Sequence, residues 1–167
     1  SSDIIIRETT IDSNSVELDG HSTVFGGGIY AKQSHVAFEN SILSNNFVNG
    51  DGSRGGGIYM DNTDIALRSE DDDAQNSFIL EGLVLTGNEA DKGGGIYIKN
   101  AEVEIRRCQI TGNVATEGGA MYLSDSKIRI INSTISGNSA ESGNSGGIYS
   151  INGSQGLFVL NTIIWHN

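Results

Sequence analysis

The stretch Ile110-Thr111-Gly112-Asn113-Val114-Ala115-Thr116-Glu117-Gly118-Gly119-Ala120-Met121-Tyr122 joins two phrases that write most of this chain. The first is an aliphatic residue, any two residues, then Asn. The second is a glycine run, an aliphatic residue and Tyr. It returns as Gly26-Gly27-Gly28-Ile29-Tyr30, Gly55-Gly56-Gly57-Ile58-Tyr59, Gly93-Gly94-Gly95-Ile96-Tyr97 and Gly146-Gly147-Ile148-Tyr149, which accounts for all five tyrosines. Successive motif tyrosines stand 29, 38, 25 and 27 residues apart. Self-similarity at a period of about 20 to 50 residues marks a repeat architecture and outranks other local signals.

Ahead of each Asn phrase stands a short alternation of apolar residues. The clean copies are Val103-Glu104-Ile105 with Ile110 and Asn113, and Ile128-Arg129-Ile130 with Ile135 and Asn138. Ile4-Ile5-Ile6, Val36-Ala37-Phe38 and Leu157-Phe158-Val159 precede Asn14, Asn46 and Asn167 in the same way. Period-two alternation rich in β-branched residues, punctuated by Gly and Asn, reads as short strands and turns, not helices. Each unit therefore reads as three short strands and three turns, one coil of an all-β parallel β-helix. Six Asn phrases predict about six coils and, at about 4.8 Å per coil, a rod of roughly 30 Å.

The third unit is longer. Ile65-Ala66-Leu67 follows Tyr59 at the spacing seen after Tyr97 and Tyr122, which places an inserted acidic loop at 69–81; Phe78-Ile79-Leu80 is the competing strand. Like residues stack from coil to coil in such a fold. Val36, Ile65, Val103, Ile128 and Leu157 form an inward aliphatic column. Val16, Val48, Ala90, Ala115 and Ala140 form a small one. Gln33, Asn62, Asn100, Asp125 and Asn152 form a polar turn column. The column Asn14, Asn46, Asn88, Asn113, Asn138 and Asn167 is either an amide ladder or a row of left-handed turn residues. Lys32, Asp61 and Lys99 share an outward column, as do Arg7, Glu39, Arg68 and Arg106, and Glu104 meets Arg129. Opposite charges on neighbouring strands contribute a few tenths of a kcal/mol and help fix register.

At 167 residues the chain is one domain, and the repeat runs to both of its ends, which fits a segment of a longer solenoid. The chain has no proline, as a continuous ladder requires, and a single cysteine. Cys108 falls in a small inward column with Thr9, Ser41, Ser133 and Thr162, as core filler. A net charge of −11 argues against nucleic acid and anionic membranes as partners. No apolar run is long enough for a transmembrane segment.

The quoted stretch resembles the repeats of the polymorphic outer membrane proteins, in which Phe-x-x-Asn is followed by Gly-Gly-Ala and an aliphatic residue. Here Ile or Leu replaces Phe, and most copies carry a third Gly where that family has Ala. The closing Asn161-Thr162-Ile163-Ile164-Trp165-His166-Asn167 is similar to the last coils of secreted pectin-lyase-like β-helices. The resemblance implies a right-handed parallel β-helix, a secreted or cell-surface location of the autotransporter-passenger kind, and adhesion.

Three sets of residues carry functional expectations. If Ile and the residue after Tyr face the core, Tyr30, Tyr59, Tyr97, Tyr122 and Tyr149 point outward at about 4.8 Å spacing. Such a stripe suits a carbohydrate or a host or matrix protein, or else it is a stacked ladder that stabilises the rod. Glu70, Asp71, Asp72 and Asp73 could take calcium through carboxylate oxygens or stay solvated, and Asn49-Gly50-Asp51-Gly52-Ser53 is a weaker hint of the same kind. No other cofactor is expected. Polysaccharide lyase or hydrolase chemistry would need paired carboxylates, and Asp61 and Glu39 are the nearest to candidates. Both sit beside cations that favour the ionised form, which ill suits a general acid, so no catalytic residue is assigned. Open ends could also stack end to end into a filament.

Overall fold

The structure, a computed structural model, describes residues 3–18, 22–62, 77–141, 144–152 and 156–167. All of its regular elements are strands, and every pairing between them is parallel. They stack into four sheets that wrap one core. The first sheet holds Asp3–Arg7, His35–Glu39, Ser77–Glu81, Glu102–Arg106, Lys127–Ile131 and Gly156–Leu160. The second holds Thr10–Asp12, Ile42–Ser44, Val84–Thr86, Gln109–Thr111, Thr134–Ser136 and Ile163–Trp165. The third holds Ser15–Glu17, Phe47–Asn49, Glu89–Lys92, Val114–Glu117 and Ser139–Ala140. The fourth holds Ile29–Lys32, Ile58–Asp61, Ile96–Lys99, Met121–Ser124 and Ile148–Ile151. Six rungs in two sheets and five in the others make a parallel β-solenoid of between five and six turns.

A coil has four strands where the sequence pattern gave three. The unforeseen one is the third sheet. Its strands run two to four residues and carry one inward side chain each, such as Val48, Ala90 or Ala115, so no alternation is visible. Elsewhere alternation sets the faces. In Glu102–Arg106, Val103 and Ile105 are buried while Glu104 and Arg106 look outward. One continuous core results, running from Val36 and Phe38 through Ile58, Leu85, Ile96 and Ile110 to Ile128, Ile130 and Ile135.

The third coil decides between the competing readings. Phe78-Ile79-Leu80 lies in the strand Ser77–Glu81, with Phe78 against Val103 and Leu80 against both Ile105 and Phe38. The column place expected for Ile65 therefore belongs to Phe78, and 77–81 is not part of an inserted loop. Phe78 and Leu80 bring large buried side chains to that rung, which fills the core better than the smaller alternative. Ile65, Arg68 and the rest of the extra stretch lie outside the described residues. Glu81, not Arg68, follows Glu39 in the outward column. The two like charges are relieved separately: Arg7 holds Glu39 at 2.7 Å, and Arg107 pairs with Glu81.

The turns explain the Asn and Gly phrases. The motif Asn itself is an amide ladder, and the left-handed turn residue is the one before it: Ser13, Asn45, Gly87, Gly112, Gly137 and His166 all have positive φ. Each amide donates to the next along the chain, at 2.8, 2.9, 2.9, 2.9 and 2.7 Å from Asn14 to Asn167. The same side-chain oxygen also accepts the backbone N–H of the preceding Asn, as Asn113 Oδ1 does from Asn88 at 3.0 Å. In the Gly phrase, a Cβ on Gly94 would stand 2.2 Å from the Val114 carbonyl oxygen. Successive coils touch backbone to backbone there, and no other residue fits.

Candidate functional site

The tyrosine column lies on the outer face of the fourth sheet, opposite Ile58, Met60, Ile96, Ile98, Met121 and Leu123 in the core. Tyr30, Tyr59, Tyr97, Tyr122 and Tyr149 occupy equivalent positions on its five strands. The first four rings stack face to face, with centroids 5.2, 5.3 and 5.1 Å apart and planes within 11° of parallel. Tyr149 closes the series tilted by 46°. The coil spacing imposes this distance, and offset stacking makes it favourable.

The column points outward as expected, yet it is not an open stripe. Tyr59, Tyr97 and Tyr122 are only 3–4% exposed, whereas Tyr30 is 52% exposed. A second column flanks the rings. Phe25, Arg54, Lys92 and Glu117 stand in register on successive coils, each immediately before a glycine phrase. Phe25 packs on Tyr59 at 4.7 Å. The Arg54 guanidinium lies 5.2 Å from the Tyr97 ring centre and 5.6 Å from that of Phe25. Lys92 Nζ lies 5.2 Å from the Tyr122 ring and 3.1 Å from Glu117. Two cations thus sit over aromatic faces in a partly desolvated groove, where such contacts are strongest. Arg54 Nε makes no hydrogen bond among the described residues, and the guanidinium lies against the faces of Phe25 and Tyr97.

The sequence pattern did not foresee this cover. Its signal was nonetheless present: the residue before each glycine run is large or charged in four copies out of five.

Burial governs the chemistry of the column. It pushes the Tyr59 hydroxyl well above the usual phenol range, helped by the Asp61 carboxylate, which accepts its hydrogen bond at 3.1 Å. Burial raises Tyr97 and Tyr122 too, against the opposing pull of Arg54 and Lys92. For Lys92, burial alone would lower the pKa, but Glu117 and Tyr122 reverse the sign. These phenols are neutral structural groups at ordinary pH.

The other candidates divide. Asp61 is buried, with Tyr59 donating to Oδ2 and Lys99 Nζ 3.8 Å from the same oxygen, so the expected Lys32, Asp61, Lys99 column exists. Glu39 is held by Arg7 through two hydrogen bonds, at 2.7 and 3.1 Å. In Asn49-Gly50-Asp51-Gly52-Ser53, the Gly52 and Ser53 amides donate to Asp91 Oδ2 at 2.7 and 3.1 Å, so a neighbouring carboxylate already occupies this turn. Among the described residues no three His, Cys, Asp or Glu side chains gather as a metal site would require. Glu70, Asp71, Asp72 and Asp73 lie outside the described residues. Cys108 is buried in the small column, its Sγ donating to the Leu80 and Arg106 carbonyls, and burial pushes its thiol up to about 11. That environment disfavours the thiolate a nucleophile needs. No helix among the described residues is long and apolar enough to cross a membrane.

The architecture agrees with comparison to known families. A model described as right handed beta helix region matches residues 1–167, and the chain belongs to that family. No curated protein and no solved structure matches it significantly.

Proposed function

We propose that this right-handed β-helix is a non-catalytic structural and adhesive segment of a secreted or cell-surface protein, presenting a rigid flank to a carbohydrate or protein partner. The observation that carries the reading is where the repeated residues go. The Asn column bonds coil to coil, the glycines let backbones meet, and the tyrosines with Arg54 and Lys92 seal one face. These repeats build stiffness and leave the outer sheet faces to recognition. The described carboxylates support it as well: Asp61, Glu39, Glu81, Glu102, Glu104 and Glu117 all have basic neighbours. Each is engaged in an ion pair of the rod's own surface. The resemblance to polymorphic outer membrane protein repeats supports display at a bacterial surface, in the manner of an autotransporter passenger.

One observation favours a polysaccharide-processing alternative: Tyr59, Asp61 and Lys99 converge within hydrogen-bonding and ion-pairing reach. A single experiment separates the two. The chain is applied to a glycan and matrix-protein array, and the eluates are examined for shortened saccharides. Retention without cleavage, weakened in a Tyr30→Ala variant, is the expected result. Cleavage products that vanish in Asp61→Asn would replace the adhesive reading with the enzymatic one.

A further inference from the structure

The outer face of the second sheet differs from the other three. Its strands Ile42–Ser44, Val84–Thr86, Gln109–Thr111 and Thr134–Ser136 bury Leu43, Leu85, Ile110 and Ile135 and turn two side chains each outward. None of those outward residues is charged. The other sheets carry Glu104 and Arg129, Glu89 and Lys92, or Asp61 and Lys99. The four strands lie between the rungs Thr10–Asp12 and Ile163–Trp165, so further coils flank this face on both sides.

One outward column is a row of hydroxyls. Ser44, Thr86, Thr111 and Ser136 stand in register, about 4.8 Å apart. The turn hydroxyls of this chain are used internally: Ser41, Ser126, Ser133 and Thr162 each donate to the carbonyl two residues earlier. Ser44 donates to Asp12 at 2.6 Å. Thr86, Thr111 and Ser136, with Thr134 beside them, make no side-chain hydrogen bond among the described residues. The corner next to this column is bare as well. Its left-handed residue is Gly112 in one coil and Gly137 in the next, although Ser13, Asn45 and His166 hold the same φ in other coils. A Cβ on Gly137 would meet nothing within 4 Å, and one on Gly112 only Thr86 Oγ1 at 3.8 Å. Packing does not require these two glycines, and they leave an open shelf beside the hydroxyls.

The chemistry of the face selects its partner. A hydroxyl offers one donor and two acceptor positions, which another hydroxyl matches in either sense. The strand backbones are already paired coil to coil, so a peptide strand has no edge here to join. A net charge of −11 repels an acidic chain, whereas a neutral one meets no charge on this face. Ile42 and Val84 in the companion column offer apolar contact to the C–H faces of a sugar ring. An extended chain of equatorially linked hexoses advances by close to one coil spacing per ring, so each ring meets an equivalent set of groups. We propose that the outer face of the second sheet binds a neutral, extended polysaccharide along the rod axis. Its hydroxyls bond to Thr86, Thr111 and Ser136, and its rings lie against the shelf at Gly112 and Gly137. This extends the adhesive reading to a face separate from Tyr30.

Affinity electrophoresis of the 167-residue chain through gels holding a soluble mixed-linkage β-glucan, a β-mannan or polygalacturonate tests the proposal. The expected result is retardation by a neutral polymer and none by polygalacturonate. Thr111→Val with Ser136→Ala removes two hydroxyls and raises the dissociation constant about tenfold or more. Gly137→Asn fills the shelf and weakens binding likewise, while Asn tolerates the left-handed turn as Asn45 does. Tyr30→Ala leaves the retardation unchanged. Thermal melts monitored by circular dichroism establish that each variant folds. Free migration in both neutral polymers would overturn the proposal, and so would retardation indifferent to the second-sheet substitutions or stronger in polygalacturonate. Array retention that depends on Tyr30 would survive those results, so the two readings fail separately.

Discussion

The Asn and Tyr columns are two ladders of one residue each, built on opposite principles. The Asn amides lie inside a turn, and each side chain is held from both sides. Asn113 donates to Asn138 Oδ1 and to the Leu85 carbonyl, and accepts from both nitrogens of Asn88. The Tyr rings lie outside the sheet, held by stacking and by a neighbouring column of Phe25, Arg54 and Lys92. The first ladder is directional and cannot lose a rung without orphaning polar groups. The second is an area effect that tolerates chemical change while the ring is present.

Breaking the first ladder has the largest expected effect. Asn113→Ala strands the Asn88 N–H and the Leu85 carbonyl in the core, at about 1–3 kcal/mol for each unsatisfied group, so a loss of about 4 kcal/mol is expected in urea denaturation. Asn113→Asp sharpens the point. The carboxylate can still accept from Asn88 but cannot donate to Asn138, so it too is strongly destabilising despite its matching shape. Tyr97→Ala comes next, at about 3 kcal/mol, from a buried aromatic truncated between two stacked rings. Tyr97→Phe keeps the ring and is expected to cost under about 1 kcal/mol. A Phe variant as damaging as the Ala variant would show that the hydroxyl, not the area, carries the column.

The same contrast explains what could be read from the sequence. The Asn ladder, the small column and the alternating charges Lys32, Asp61 and Lys99 were legible because stacking repeats one residue type at one spacing. The fourth strand was hidden because one inward Val or Ala per coil leaves no period to detect. The third coil was misplaced because Ile65-Ala66-Leu67 and Phe78-Ile79-Leu80 both carry the alternation, and spacing from Tyr59 favoured the wrong one. Core volume chose instead, with Phe78 and Leu80 fully buried. The outward direction of the tyrosines followed from alternation, but their burial did not. It depends on Phe25, Arg54 and Lys92, whose shared column shows only when the residue before each glycine run is aligned.

Alkaline pH separates the ladders without mutation. Asn does not titrate, whereas Tyr59, Tyr97 and Tyr122 have folded-state pKa values raised by burial. A group raised in the folded state contributes stability that is fully present below its unfolded value and is lost as pH rises through the folded one. The unfolded phenol ionises near about 10, so the urea midpoint falls progressively above that pH. Lys92, also raised, adds to the loss in the same direction. A Tyr59→Phe/Tyr97→Phe variant removes two of the titrating groups and flattens the profile. An unchanged slope in that variant would assign the alkaline loss to Lys92 and the remaining groups.

The smallest effect is expected at Tyr30, and it refines the comparison within one column. Tyr30 stacks on Tyr59 at 5.2 Å with planes 3° apart, as good a stack as any in the series. Yet it is 52% exposed, so its ring loses far less to water on unfolding than that of Tyr97. If buried area sets the energy of the Tyr column, Tyr30→Ala costs about 1 kcal/mol or less, against about 3 kcal/mol at Tyr97. If stacking geometry sets it, Tyr30→Ala costs about half as much as Tyr97→Ala, because Tyr30 has one parallel stacked neighbour and Tyr97 has two. A loss at Tyr30 of about half that at Tyr97 or more would make the Tyr column directional after all, like the Asn column. A loss of about a third or less leaves Tyr30 as a ring that contributes little to the fold and remains free to meet a partner.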